Sequence, residues 1–246
     1  TAALVTRLRC LGGEVVTGRR VASLADLPPH RAALFDVTPR QLVSIAGGAM
    51  PAGYRRALLR FRHGPGVFKV DWALAGPVPW SAPACRDAGT VHLGGTFEEV
   101  AAAEAQVAAG RVPERPFCLV TQPGVVDPTR APAGQHTLWG YCHVPPGCEA
   151  DMTGAIEAQV ERFAPGFRDL VLARHAWGPR ELQAYNANDV GGDINGGMMT
   201  LGQLLARPVP RPLPYRTPVP GIYLCSASTP PGAGVHGLPG YLAARA

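Results

Sequence analysis

The sequence predicts an α+β protein, with a smaller α/β part beside a larger and mainly antiparallel sheet. Two strand-like segments with unlike faces point to the larger part. In residues 67–74, Phe68, Val70, Trp72 and Leu74 share one face while Lys69 and Asp71 share the other; in 136–144, Thr137, Trp139, Tyr141 and His143 share one side. Between and after them, residues 97–108 read as a helix, and Met152, Ile156, Val160 and Phe163 recur at amphipathic-helix spacing. The smaller part is announced by "AALFDV" (32–37), a run without alternation and so a strand covered on both faces, and by a buried strand at 222–225.

The elements follow in order. Leu4, Leu8 and Leu11 recur at helical spacing and Gly12-Gly13 supplies a stop, which predicts a helix over 2–11. "EVVTGRRVASL" predicts a tight hairpin around Thr17-Gly18, and 32–37 follows as a strand. "YRRALLRFRHGPG" predicts a short helix; strands are predicted at 67–74, 89–94, 117–122 and 136–144. Residues 175–220 carry little periodicity; their Asn/Asp/Gly run and proline punctuation allow neither a long helix nor a central strand. After the strand at 222–225, a Ser/Thr/Gly/Pro loop opens a helix near Val235–Gly237, with Pro239 in its first turn.

Composition narrows the function classes. The 246 residues are 46% hydrophobic, enough for one or two cores, and no apolar run is long enough to span a bilayer. The net charge of +5 comes from arginines scattered as singles and pairs, not from the basic stripe a nucleic-acid partner requires. Six cysteines without a CxxC pair read as reduced and mostly buried. No metal site is expected, since Cys142-His143 with Cys148 fits no zinc spacing. With no visible signal peptide the expectation is a cytoplasmic protein; membrane-surface association is not indicated, and an oligomer is compatible with the composition. The chain begins at Thr1, which suggests a trimmed terminus.

The densest backbone punctuation lies in "GIYLCSASTPPGAGVHGLPGYLAARA". Glycines at 232, 234 and 237 would let a ligand approach the main chain and meet free N–H groups at a helix's positive end. A plain glycine-rich turn before a terminal helix is the competing reading. The segment resembles the C-terminal FAD-contacting signature of the phytoene desaturase-like branch of the flavin amine oxidase superfamily, and "GGDINGG…LLARPVP…YRTPVPG" resembles the same branch, particularly its phytoene dehydrogenase-related or pyridine nucleotide-disulfide oxidoreductase-domain group.

That resemblance implies a remainder of an FAD-binding Rossmann-like domain at 1–46 and 191–246. It implies a substrate domain at 47–190, an antiparallel sheet covered by helices. It implies cofactor contacts from Val21 (adenine), Thr38 and Pro39, Ser226, Ala227 and Ser228 (ribityl-pyrophosphate), and Gly234, Val235, His236 and Gly237 (pyrimidine edge), with a redox or substrate-contacting role for His236 standing beside a packing role. Lys69, the only lysine, matches a lysine that reaches flavin N5 through a water; a surface lysine beside Asp71 is the alternative. Trp72, Trp139 and Tyr141 become candidate substrate-wall residues, or else plain core. The family's opening GxGxxG fingerprint is missing, so the resemblance implies a C-terminal fragment that binds FAD weakly or not at all, is inactive alone, and has the missing N-terminal part of its own chain as a partner. The implied activity of the intact protein is FAD-dependent oxidation of an apolar or amine-bearing small molecule by hydride transfer, dehydrogenase- or desaturase-like. A non-catalytic binding or scaffold protein with the same fold is the alternative. A hydrolase using Ser226 or Ser228 with His236 lacks a GxSxG elbow.

Overall fold

The structure, a computed structural model, describes residues 1–246. The chain opens with α1 (Ala2–Cys10), β1 (Ala33–Phe35), α2 (Pro39–Ala46) and α3 (Ala52–Leu59). Next come β2 (Gly66–Leu74), β3 (Thr90–Leu93), α4 (Phe97–Ala108), β4 (Cys118–Thr121) and β5 (His136–Val144). It continues through α5 (Thr153–Phe163), β6 (Val171–Trp177), α6 (Pro179–Tyr185) and α7 (Leu201–Leu205), and closes with β7 (Ile222–Leu224) and α8 (Leu238–Arg245).

Strands β2 to β6 form one five-stranded sheet in the order β3-β4-β5-β2-β6, antiparallel throughout. Alternation along β2 and β5 sends Phe68, Val70, Trp72, Leu74, Leu138, Cys142 and Val144 to one face, where Ile156 and Val160 of α5 cover them in a core of 18 buried residues. Each such side chain contributes roughly 1.5–3 kcal/mol by leaving water, so this cluster holds the larger unit together. Within it Trp72 Nε1 donates to Glu157 Oε1 (3.0 Å) and its ring meets Phe167 edge-on at 5.7 Å. Helix α4 starts where "TFEE" builds a capping box: Glu99 N donates to Thr96 Oγ1 (3.3 Å) and Thr96 N to Glu99 Oε2 (2.9 Å).

The smaller unit is built on a parallel pair, β1 with β7, in register Ala33↔Ile222 to Phe35↔Leu224. Its core has 8 buried residues, among them Phe35, Leu42, Leu58 and Leu224. Met50 and Leu58 belong to this core, so the segment from 47 to 58 packs with the smaller unit and not with the antiparallel sheet.

Several expectations are corrected. The hairpin around Thr17-Gly18 does not form: residues 13–22 carry no strand, and Val15 and Val16 are exposed. The segment lacks alternation, and an isolated two-stranded ribbon is marginal in water. Instead, the Ala22 and Ser23 amides donate to the Asp26 carboxylate, both at 2.8 Å. Strand β1 is not covered on both faces, since Leu34 is exposed. As expected, the weakly periodic stretch 175–220 holds neither a long helix nor a central strand: it contains the end of β6, an edge strand with mostly exposed residues, and the short α6 and α7.

Candidate functional site

Parallel strands direct their carboxyl ends to the same side, and ligands of open α/β sheets bind there. Strands β1 and β7 end together, with Cys225 N donating to Phe35 O (2.9 Å). Past β1, Thr38 caps α2 by accepting from Gln41 N (3.4 Å), and Pro39 occupies its first turn. Both residues are buried. Asn188 secures this turn from afar: its Oδ1 accepts from Thr38 N (3.1 Å) and Gln41 Nε2 (2.8 Å), and its Nδ2 donates to Asp36 O (3.2 Å).

Past β7, the serines spend their hydroxyls on the loop itself. Ser226 Oγ accepts from Ser228 N (3.2 Å), and Ser228 Oγ donates to Gly196 O (2.7 Å). Their contribution is to shape the main chain, and Ser228, fully buried, has no approach to His236 as a hydrolase would need. Arg207 lies beneath, 1% exposed, with Nη2 donating to Ala227 O (2.9 Å) and Gly196 O (3.3 Å). Its Nη1 sits 3.1 Å from where a Cβ on Gly232 would be, and Gly232 has φ +108°, so a side chain there would meet both backbone strain and the guanidinium. No carboxylate lies within ion-pair reach of Arg207, and its Nε has no partner. The nearby buried Asp193 accepts from Gly64 N (2.7 Å) and Asn195 N (2.8 Å) and stands 3.6 Å from His63 Nδ1. Burial alone would raise its carboxyl; the His63 ring and those two amides together hold it below the ordinary value.

The loop then opens. The amides of Ala233, Gly234, Val235, His236 and Gly237 find no acceptor in the chain, and Val235 is fully exposed. His236 Nδ1 accepts from Leu238 N (3.1 Å), so the imidazole caps the first turn of α8. A Cβ on Gly234, at φ +143°, would fall 2.7 Å from the His236 ring. Glycine at 234 is therefore what lets the ring fold back over the loop. Unpaired amides at a helix N-terminus form a seat for negative charge. Val21 lines a cavity of about 800 Å³ that runs along β1 between α2, the 20–30 segment and Tyr185, a volume typical of cofactor sites.

Lys69, Trp139 and Tyr141 come together elsewhere, on the sheet face opposite the α5 core. Lys69 pairs across the strands with Tyr141 and Trp177, forms an ion pair with Asp71, and holds its ammonium 5.5 Å from the Trp139 ring centre. Trp139 and Tyr141 stack at 13° with centres 6.5 Å apart, and the adjacent His143 meets Glu104 of α4 at 2.9 Å. Trp72 does not join them. Strand alternation sends it into the α5 core, 2% exposed, which removes it from any wall made by Trp139 and Tyr141. The same alternation separates Cys142, in the core, from His143 on the other face. Asn188, Asp193 and Arg207 were not singled out in the sequence. The available signals were an Asp between glycine pairs and an arginine directly before proline in a stretch without periodicity.

No family model matches the chain. It is 30% identical over 255 residues to pyridine nucleotide-disulfide oxidoreductase domain-containing protein 2 of Rattus norvegicus, covering 95% of this chain and 42% of that protein. To the Mus musculus protein of the same name it is 35% identical over 174 residues, covering 65% of this chain and 28% of that protein. Its curated relatives are named as oxidoreductase-domain proteins. The chain spans less than half the length of these relatives. Among solved structures, an oxidoreductase from Methanosarcina mazei aligns with 84% of the chain and 39% of its own at 15% identity and a TM-score of 0.49. Cyclohexylamine oxidase from Brevibacterium oxydans aligns with 80% of the chain and 37% of its own at 12% identity and a TM-score of 0.40. At those scores neither likeness carries the functional argument. No helix is long and apolar enough to cross a membrane.

Proposed function

We propose that the chain supplies the flavin-edge half of an FAD site and the substrate-facing sheet of an FAD-dependent oxidoreductase. The observation that carries this reading is the run of acceptor-free amides from Ala233 to Gly237, leading into the N-terminus of α8 at the carboxyl end of β7. The homologues named as oxidoreductase-domain proteins and the sequence signature at 222–243 support it. A bound flavin would supply hydride acceptance from the substrate. The chain's own tasks are then physical. The 233–237 amides and the α8 dipole favour negative charge at the ligand edge they face. Ser226, Ala227 and Ser228, braced by Arg207, hold the main chain in the shape that presents those amides. Thr38 and Pro39 fix the turn that follows β1, and Val21 lines the neighbouring cavity.

Lys69 is assigned to the reactive side of the flavin, held by Asp71, with Trp139 and Tyr141 as the wall for an apolar or amine-bearing substrate. Cys225 is the one cysteine at the junction of the strands, and burial followed by the Asp36 charge pushes its thiol up to about 11, far from the reactive thiolate. The reading is tested by titrating FAD into the purified chain and its Gly234→Ala variant, following flavin fluorescence. Weak saturable binding that the variant loses at least tenfold is expected; equal binding by both proteins refutes the assignment of the loop.

A further inference from the structure

The sheet face that carries Lys69 is laid out by strand register. Tyr141, Lys69 and Trp177 lie side by side across β5, β2 and β6, and Trp139, Asp71 and His175 form the next row. Thr137, Ala73 and Ala173 continue the pattern with small residues. Trp139, Tyr141 and Trp177 are each half-buried, and Trp177 meets Tyr185 of α6 edge-on at 5.4 Å. Half-open aromatic surface gathered on one sheet face is the kind of patch that a ligand covers.

The charges on this face are already committed. Asp71 is the only acid in the whole five-stranded sheet, and it forms an ion pair with Lys69. Glu104 reaches the face from α4 and is engaged by His143 Nδ1 at 2.9 Å. Burial, then the Glu104 charge, pushes the Tyr141 hydroxyl up, so it stays neutral. Trp139 already has its cation, since Lys69 Nζ sits 5.5 Å from its ring centre. An ammonium arriving beside Lys69 would meet a like charge, no unpaired carboxylate on the strands and an occupied indole face. An uncharged ring would meet none of these penalties and would bury apolar surface against Trp139, Tyr141 and Trp177.

We infer that the substrate group lying on this face is an uncharged planar ring, and that Lys69, paired with Asp71, excludes ammonium compounds from it. Specificity here is built by repulsion as much as by attraction: the aromatic rings accept any flat apolar group, and the lysine rejects the cationic ones. Of an apolar and an amine-bearing substrate, the face selects the first. Calling the bound molecule a substrate rests on the flavin reading, whereas the selection by charge does not.

The test uses a matched pair of probes, tryptophol and tryptamine, which share an indole ring and end in a hydroxyl and an ammonium. Each is titrated to about 10 mM into the purified chain at neutral pH without flavin, and the tryptophan indole N–H signals are followed by NMR. Tryptophol is expected to give saturable shifts at Trp139 and Trp177, while Trp72 and Trp80, buried in the core, stay still. Tryptamine is expected to bind at least tenfold more weakly. Lys69→Met frees both Asp71 and the Trp139 ring, so it is expected to tighten tryptamine about tenfold and to alter tryptophol less than about threefold. Lys69→Arg keeps the charge and is expected to keep the discrimination. The inference is overturned if tryptophol gives no saturable shifts at Trp139 and Trp177, if tryptamine binds as tightly, or if Lys69→Met discriminates like the unmodified chain. Because no flavin is added, those results leave the assignment of the 233–237 loop standing, and a failure of FAD to bind that loop leaves the charge selection standing in turn.

Discussion

The antiparallel sheet and the parallel pair are stabilised in opposite ways. The sheet unit is built on a core of 18 apolar residues, with buried polar side chains paired within it, as Trp72 with Glu157 and Trp80 with Gln122 illustrate. The parallel unit has 8 such residues and is knit by polar groups: buried Asp193, half-buried Asn188 and a buried arginine without a carboxylate partner. The difference separates scaffold from site. A core made of apolar contacts tolerates adjustment, whereas a loop held by single hydrogen bonds and by glycines at positive φ holds one shape, and that shape exposes a row of amides.

The largest expected effect tests the scaffold side. Phe167→Ala removes a fully buried ring from the sheet core and is expected to cost about 3–5 kcal/mol, read from urea unfolding. All four tryptophans (Trp72, Trp80, Trp139 and Trp177) lie in the sheet unit, so their fluorescence follows that unit alone while far-ultraviolet circular dichroism follows both. In the unmodified chain the dichroism should begin to fall at lower urea than the fluorescence. Coincident transitions would mean that the two units unfold as one and would erase the contrast.

The contrast also explains what the sequence made legible. Strands β2 and β5 and helix α5 were readable because one face of each meets a deep core, and burial writes period 2 or 3.6 into the residues. The parallel unit follows no such rule. Its key side chains are tied to backbone groups far along the chain, Asn188 to Thr38 and Arg207 to Ala227, and a hydrogen bond between distant loops leaves no periodic trace. Glycines 232, 234 and 237 were visible as punctuation, and the structure gives Gly234 its reason in the folded-back His236 ring. Trp72 was left open between wall and core because an aromatic on an alternating strand reads the same whether its face meets a core or a ligand.

On the site side, Arg207→Met is expected to cost about 2 kcal/mol by removing the charged donor from Ala227 O and Gly196 O. Hydrogen exchange should accelerate in 194–199 and 226–232 and stay unchanged across β2–β5; uniform acceleration would mean that Arg207 braces the whole chain and not the loop. A smaller effect comes from Asp189, whose carboxyl is pushed up to about 6 by burial and then by the Asp193 charge. Between those two values the native state therefore holds a proton that the unfolded chain, with its ordinary value of 3.8, has already released. Stability from this group is complete below the ordinary value and is lost as pH rises through about 6. Asp189→Asn should gain about 1 kcal/mol at neutral pH after allowance for solvent screening, with the gain vanishing in acid. A gain independent of pH would contradict the burial of that carboxyl.

The central claim, that the open amides of the C-terminal loop seat the flavin edge of FAD, is tested most directly by following every backbone amide while FAD is added to the purified chain. The account predicts saturable shifts concentrated at Ala233–Gly237 and the first turn of α8, with lesser ones at Thr38 and Ser226–Ser228. Shifts absent from 233–237 while other surfaces respond, or no response at millimolar FAD, would contradict it.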